Sequence, residues 1–177
     1  MSNHSGLRSR LAVSVEVLAS DATPEIIESA RSLLLEYGRF VTEAEGPAHF
    51  CFGTLQEEID SLPDTYRNQG GEMLLAYADG QPAGCVTWRA IPGIDGACEM
   101  RRLWTRETLR GLNLGEKLVL AAVDHATLAG YNAMYLDTFP GTMRSAFELY
   151  LRLGFEPCGP YNDSRYEGIA FMRRPLK

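Results

Sequence analysis

Residues 109–118, Leu-Arg-Gly-Leu-Asn-Leu-Gly-Glu-Lys-Leu, stand between an apolar strand candidate (97–104) and a long apolar helix candidate (116–131). A helix start carries free N–H groups and a partial positive charge, so it attracts anions. When the loop feeding it is small, several amides converge on one ligand. Gly111 and Gly115 permit close approach, and Asn113 is the non-glycine type that best tolerates positive φ. Arg110 adds a forked donor, and Lys117 lies one turn into the helix. The chemistry this favours is the grip of a phosphate group; a merely tight connection would use the same residues. Two other phosphate motifs are absent: there is no G-x-G-x-x-G, and no Gly-Lys-Ser/Thr follows the glycines.

A few side chains could do further chemistry. Glu99 lies on the strand candidate and shares parity with Arg101, Leu103 and Thr105. Flanked by Cys98 and Met100, a partly buried carboxylate there could have a raised pKa, as a general base requires. The competing reading is an ion pair with Arg101, Arg102 or a neighbouring strand. Tyr150 shares one helix face with Ala146, Leu149 and Leu153, while Arg144, Glu148 and Arg152 take another. A phenol on the buried side needs a partner for its hydroxyl, and a core carbonyl is the plain choice. Cys98 could be a nucleophile, but no His is near it, and a strand-embedded Cys is ordinarily inert core. His125 sits towards the apolar side of its helix and reads as packing. The histidines His4, His49 and His125 form no cluster, and Cys51, Cys85, Cys98 and Cys158 show no C-x-x-C spacing, so no metal site is expected.

The elements that must position these groups follow from periodicity. Residues 11–18 alternate as a strand. Asp21 or Thr23 caps a helix that starts with Pro24 and runs to about Phe40, and 43–49 read as a loop. Residues 54–62 form a short helix capped by Thr54. Residues 74–78 and 83–91 flank Asp79-Gly80, a hairpin turn, and 97–105 extend the meander. The helix after the seam leads to a strand at 133–139, a helix at 143–154 ended by Gly154, and strands at 155–158 and within 166–176. A meander followed by a strand–helix–strand crossover makes a mixed α/β sheet with helices on its faces.

The 177 residues suit one domain, 11–177, behind a flexible tail at 1–10. A net charge of −6 argues against nucleic acid as a partner. It is compatible with a cationic substrate, and it also simply serves solubility. The thiols read as reduced, in a cytoplasmic setting. No stretch has the length of a signal peptide or a membrane span, so no membrane association is expected.

With those residues on the page, 97–171 resemble the GNAT acyl-CoA-dependent N-acetyltransferases. The family's signature Gln/Arg-x-x-Gly-x-Gly/Ala stands here as Arg110-Gly111-Leu112-Asn113-Leu114-Gly115, with Asn113 in place of the first glycine. Residues 99–105 (EMRRLWT) are similar to the family's fourth strand, 146–155 (AFELYLRLGF) to its second signature, and 74–89 to its central hairpin. The wider pattern, over roughly 11–176, is similar to a bacterial branch of poorly defined acceptor. Many members carry an Asn where this chain has Met143.

The resemblance implies a mostly antiparallel sheet whose fourth and fifth strands splay apart, with acetyl-CoA in the gap. Its pyrophosphate would rest on the amides of Gly111, Leu112, Asn113, Leu114, Gly115 and Glu116, beside Arg110. The main chain of Leu103 and Thr105 would pair with the pantetheine arm, an N–H near Leu103 or Trp104 would meet the thioester oxygen, and Ala146 and Tyr150 would flank it. Tyr150 would give a proton to the departing sulfur. Glu99, where the histone-acetylating branch carries its base, would free the amine for attack. For Tyr37, Tyr161, Tyr166 and the loops at 49–52 and 160–163 two readings stand: edges of the acceptor pocket, or plain packing. The implied function is acetyl transfer to a primary amine of a small molecule or peptide, by direct attack in a ternary complex; homodimers are common among relatives. The alternatives are a non-catalytic acyl-CoA sensor and an unrelated phosphate-binding α/β domain.

Overall fold

A computed structural model describes residues 11–46 and 52–177. The loop residues His49 and Cys51 and the tail at 1–10 lie outside them. The strands are β1 (Val13–Val17), β2 (Glu72–Ala78), β3 (Gln81–Ala90), β4 (Ala97–Thr105), β5 (Ala133–Thr138), β6 (Glu156–Cys158) and β7 (Ala170–Pro175). The helices are α1 (Pro24–Glu45), α2 (Phe52–Asp60), α3 (Leu114–Leu128) and α4 (Arg144–Arg152). The order of elements is the one the periodicity predicts.

All seven strands join one sheet, in the order β1-β2-β3-β4-β5-β7-β6. Every pairing is antiparallel except β4 with β5, which α3 connects as a crossover. Alternation along β2 sorts two cores. Leu74 and Ala76 face α3 and α4, packing with Leu118, Val119, Ala122 and Tyr150. Met73 and Leu75 face α1 and α2, packing with Leu33, Leu34, Leu55 and Ile59. The Asp79-Gly80 turn has positive φ at both positions (47° and 75°), as a tight hairpin turn of this hand requires.

Several boundaries differ from expectation. Thr23 is the cap of α1, its hydroxyl accepting from Ile26 N at 3.5 Å. The helix runs on through Glu45 because residues 41–45 offer no breaker; Gly46, at φ 81°, stops it. α2 begins at Phe52, so Thr54 lies inside it and is not its cap. α3 starts two residues early, at Leu114, and ends at Leu128, short of 131, where Gly130 takes φ 91°. Its last residue, Leu128, is left 87% exposed.

The shared parity expected for Glu99, Leu103 and Thr105 does not hold. Arg102 adopts φ 57°, and the β3–β4 register shifts there. Before the shift, Arg101 pairs with Thr87 and Glu99 with Arg89; beyond it, Trp104 pairs with Cys85 and Thr105 with Gly84. The extra residue is a bulge, and it turns the rest of the strand over. Glu99, Arg101 and Trp104 therefore face the α1–α2 side, while Leu103 packs on the core under α3 and α4.

Candidate active site

β4 and β5 pair over three residues only, Ala97–Glu99 with Ala133–Tyr135. Beyond Glu99 and Tyr135 the strands part, and a cleft of about 1010 Å³ opens between them. α1 walls it with Tyr37, Phe40 and Val41, and α4 with Ala146, Leu149 and Tyr150. Of the predicted site residues, Glu99, Leu103, Trp104, Thr105, Arg110, Gly115, Ala146 and Tyr150 all line this one cleft. Gly111, Leu112, Asn113, Leu114 and Glu116 are not among its lining residues; the first three form the turn into α3, and Leu114 and Glu116 flank Gly115 in its first turn.

That turn has the backbone its composition predicts. Gly111 takes φ 93°, and Asn113 takes φ 55°, ψ 29°, the left-handed region. Lys117 N, bonded to Asn113 O at 3.0 Å, is the first amide of α3 to reach back. The N–H groups of residues 111–116 meet no acceptor among the described residues. Six unpaired donors around one turn at a helix start are what an anion would satisfy. A Cβ at Gly115 would touch only Leu149, at 3.4 Å, so packing alone does not require glycine there. The buried Leu114 side chain belongs to the core, which leaves its amide for any ligand. Arg110 is 59% exposed and pairs with Glu107 at 2.9 Å on the cleft rim. Glu116 is tied to Arg152 at 3.3 Å.

Tyr150 is 7% exposed, edge-on to Phe155 with ring centroids 5.8 Å apart. Its hydroxyl makes no hydrogen bond to any described residue, so the core-carbonyl partner is not there. Burial, then the neighbourhood of Tyr37 and Asp137, pushes its pKa up, which keeps the phenol protonated. Trp104 is fastened to α1: its indole donates to Glu36 at 3.1 Å and lies 5.2 Å from Phe40. Only its main chain is left for the expected N–H role. Met143 stands at the start of α4 and lines the cleft without a side-chain cap.

At the acceptor end Glu99 is 8% exposed and ion-paired across the strands. Arg89 Nε donates to Oε1 at 2.7 Å, Arg101 Nε lies 3.8 Å from the same oxygen, and the Tyr161 hydroxyl donates to Oε2 at 3.2 Å. This is the neighbouring-strand pair of the two readings, formed with Arg89. Tyr37 and Tyr166 line the cleft, as do Asn162, Asp163 and Ser164 of the 160s loop. Cys98 is buried, its thiol donating to Ala133 O at 3.6 Å and pushed up to about 12 by burial and by the Glu99 charge. It is core, not a nucleophile. His125 lies 2.8 Å from Glu72.

Two groups escape a reading by motif. Glu58 of α2, 4% exposed, accepts from Arg102 at 2.9 and 3.1 Å, from Arg101 at 3.0 Å and from Tyr66 at 2.7 Å. Burial alone would raise its pKa; the Arg102 bonds, both guanidinium charges and Tyr66 outweigh it and hold the carboxyl down to about 2. Asp137 lines the cleft from β5, with Asn162 Nδ2 donating to its Oδ2 at 2.8 Å. The signal for Asp137 was an acidic residue interrupting the apolar run of 133–139. Nothing local marked Glu58, whose arginine partners are 43 and 44 residues away. Among the described residues there is no metal-holding group of His, Cys, Asp or Glu, and no helix long and apolar enough to cross a membrane.

Comparison with known proteins bears on the same segment. A model of the acetyltransferase (GNAT) family matches residues 37–155. An uncharacterized N-acetyltransferase of Schizosaccharomyces pombe is 36% identical over 124 residues, covering 68% of this chain and 75% of the relative. The crystal structure of a GNAT-family acetyltransferase from Staphylococcus aureus superposes with a TM-score of 0.72 at 18% identity, covering 94% of this chain and all of that one. The PaiA N-acetyltransferase of Thermoplasma acidophilum, solved in complex with coenzyme A, superposes at 0.64 and 16% identity, over 93% of this chain and 99% of that one.

Proposed function

The chain belongs to the GNAT acetyltransferase family, and from that premise we propose that it moves the acetyl group of acetyl-CoA to a primary amine of a small molecule or peptide, by direct attack within a ternary complex. The single observation that carries this is the cleft opened by the parting of β4 and β5, with a ring of unpaired amides at one end and a protonated, unpartnered Tyr150 on its wall. Coenzyme A bound to the Thermoplasma neighbour supports the choice of donor.

The fit rests on donor chemistry. A diphosphate needs several N–H groups and a little positive charge, which residues 111–116 and Arg110 supply. Bound there, acetyl-CoA brings a thioester, whose acyl carbon an uncharged amine can attack. Leu103, Trp104 and Thr105 offer main chain along the unpaired edge of β4, for the arm and for the thioester oxygen. Ala146, whose small side chain lines the cleft, leaves room beside it. Tyr150 holds its proton until the sulfur departs. A carboxylate at the acceptor end takes a proton from the amine; Glu99, the candidate from the sequence, and Asp137 both line the cleft there.

This reading treats 11–177 as one domain in a cytoplasmic setting, alone or as a homodimer. It is tested by calorimetry with coenzyme A and by thiol release from acetyl-CoA across a panel of amines. Binding and amine-dependent release are expected. Binding with no release across a broad panel would favour a sensor, and no heat at millimolar coenzyme A would end the reading.

A further inference from the structure

Resting on acetyl transfer in this cleft, we infer that the acceptor amine gives up its proton to Asp137, and that Glu99 is a positioning residue holding Arg89, Arg101 and Tyr161. Glu99 has neither oxygen turned free to a ligand: Oε1 takes Arg89 at 2.7 Å with Arg101 at 3.8 Å, and Oε2 takes the Tyr161 hydroxyl at 3.2 Å. Tyr161 is itself wedged against Tyr135 and Phe171, with ring centroids 5.1 and 5.7 Å away. The Glu99 group is a closed assembly on the cleft wall.

Asp137 is placed differently. Within β5 it alone is exposed among the described residues, and it stands where β4 has already parted from β5. Asn162 holds its Oδ2 at 2.8 Å, which fixes the carboxyl plane; Oδ1 takes no hydrogen bond from any described residue and is left for a ligand. The walls around it lift its pKa above the ordinary aspartate value; the Asn162 bond, Arg101 and Arg102 pull down, and the Glu99 charge pushes up. A base poised nearer neutrality is the better proton acceptor. Asp137 and Tyr150 line the same cleft, so proton acceptor and proton donor face one space. The charged and titratable groups around Asp137 are Glu99, Arg101 and Arg102 of β4, Tyr150 of α4 and Tyr161 beside Asn162.

The step balances as follows. One proton of the ammonium passes to Asp137, leaving a lone pair on nitrogen. That pair forms the C–N bond to the acetyl carbon as the C–S bond breaks, and the sulfur takes the bonding pair and the Tyr150 proton to become a thiol. The nitrogen's surplus proton returns to the phenolate, and Asp137 releases its own to solvent. Ammonium and thioester become amide, thiol and one proton.

The test compares Asp137→Asn, Glu99→Gln and the parent chain, using acetyl-CoA with whichever of spermidine, histamine, lysine or a glycine-initiated tripeptide gives the fastest thiol release. Asp137→Asn is expected to lose roughly 10²–10³-fold in kcat/KM at pH 7, while coenzyme A affinity stays within about twofold by calorimetry. Its rate should then climb about tenfold per pH unit up to the amine's own pKa, because the free-amine fraction now limits it. Glu99→Gln should raise KM for the amine and keep the parent's pH profile. In the free protein, carboxyl-carbon NMR should show one aspartate titrating above the ordinary value of about 3.9, its signal missing from Asp137→Asn. A parent-like rate and profile for Asp137→Asn, transfer of the profile change to Glu99→Gln, or an ordinary titration of Asp137 overturns the inference alone. If the parent chain binds coenzyme A but releases no thiol with any of these amines, the acetyl-transfer reading fails, and this inference with it.

Discussion

Two polar groupings among the described residues are built in opposite ways. Around Glu58, a buried carboxylate, two guanidiniums and a phenol satisfy one another, with both carboxylate oxygens engaged. At the head of α3 and along the cleft, six amides, a phenol and one oxygen of Asp137 have no partner among the described residues. Burying polar groups is costly unless they are bonded. A closed assembly therefore belongs to folding, since removing a member hurts the chain itself. An open one belongs to a ligand, since removing a member leaves the chain intact and damages what it meets.

Substitutions can break this contrast or sharpen it. The largest effect is expected from Glu58→Ala, which strands the buried Arg102: a loss of about 3–5 kcal/mol in stability, read from the urea midpoint. Acid should reveal the same group. Its folded pKa lies below the unfolded one, so its contribution is complete above about pH 4.3 and disappears as the pH falls through about 2. Glu58→Gln should abolish that acid-dependent part of the stability. Next, Tyr150→Phe should lower kcat roughly 10²–10³-fold with the melting temperature and coenzyme A affinity nearly unchanged; an equal loss of stability would move Tyr150 into the closed class. Gly115→Ala should weaken coenzyme A about tenfold, or about 1.4 kcal/mol, by crowding the amides, while a better helix former keeps the chain at least as stable. The smallest effect is expected from Asn113→Ala: about 1 kcal/mol of stability from left-handed strain, and a few-fold in coenzyme A affinity.

What the sequence disclosed follows the same division, with one exception. Element order, the left-handed Asn113 and the buried side of Tyr150 are set by residues within a few positions of one another, so periodicity and turn chemistry suffice. The bulge at Arg102 is set by register against β3, and no pattern within β4 marks it. That single residue inverted the facing of Leu103 and Thr105 relative to Glu99. Glu58 needed knowledge of partners on another element. Asp137 is the exception: it is local in sequence, yet its exposure depends on where β4 stops pairing, three residues into β5. The longer reach of α1 was missed for a different reason, since residues 41–45 are helix-compatible and only Gly46 marks the stop.

The brevity of the β4–β5 pairing has one more consequence. Past Glu99 and Tyr135 each strand presents a bare edge in the middle of a sheet, the kind of surface that ordinarily invites another polypeptide to pair. Here the invitation is recessed between α1 and α4, so shape does what charge or proline does on outer edges. A molecule that lies along the cleft bridges the two bare edges and knits the two halves of the sheet together. The protein should therefore melt later as that molecule is added, by about 2.7 kcal/mol at a hundredfold excess over Kd, and its release should require the halves to be unfastened again at the end of every cycle.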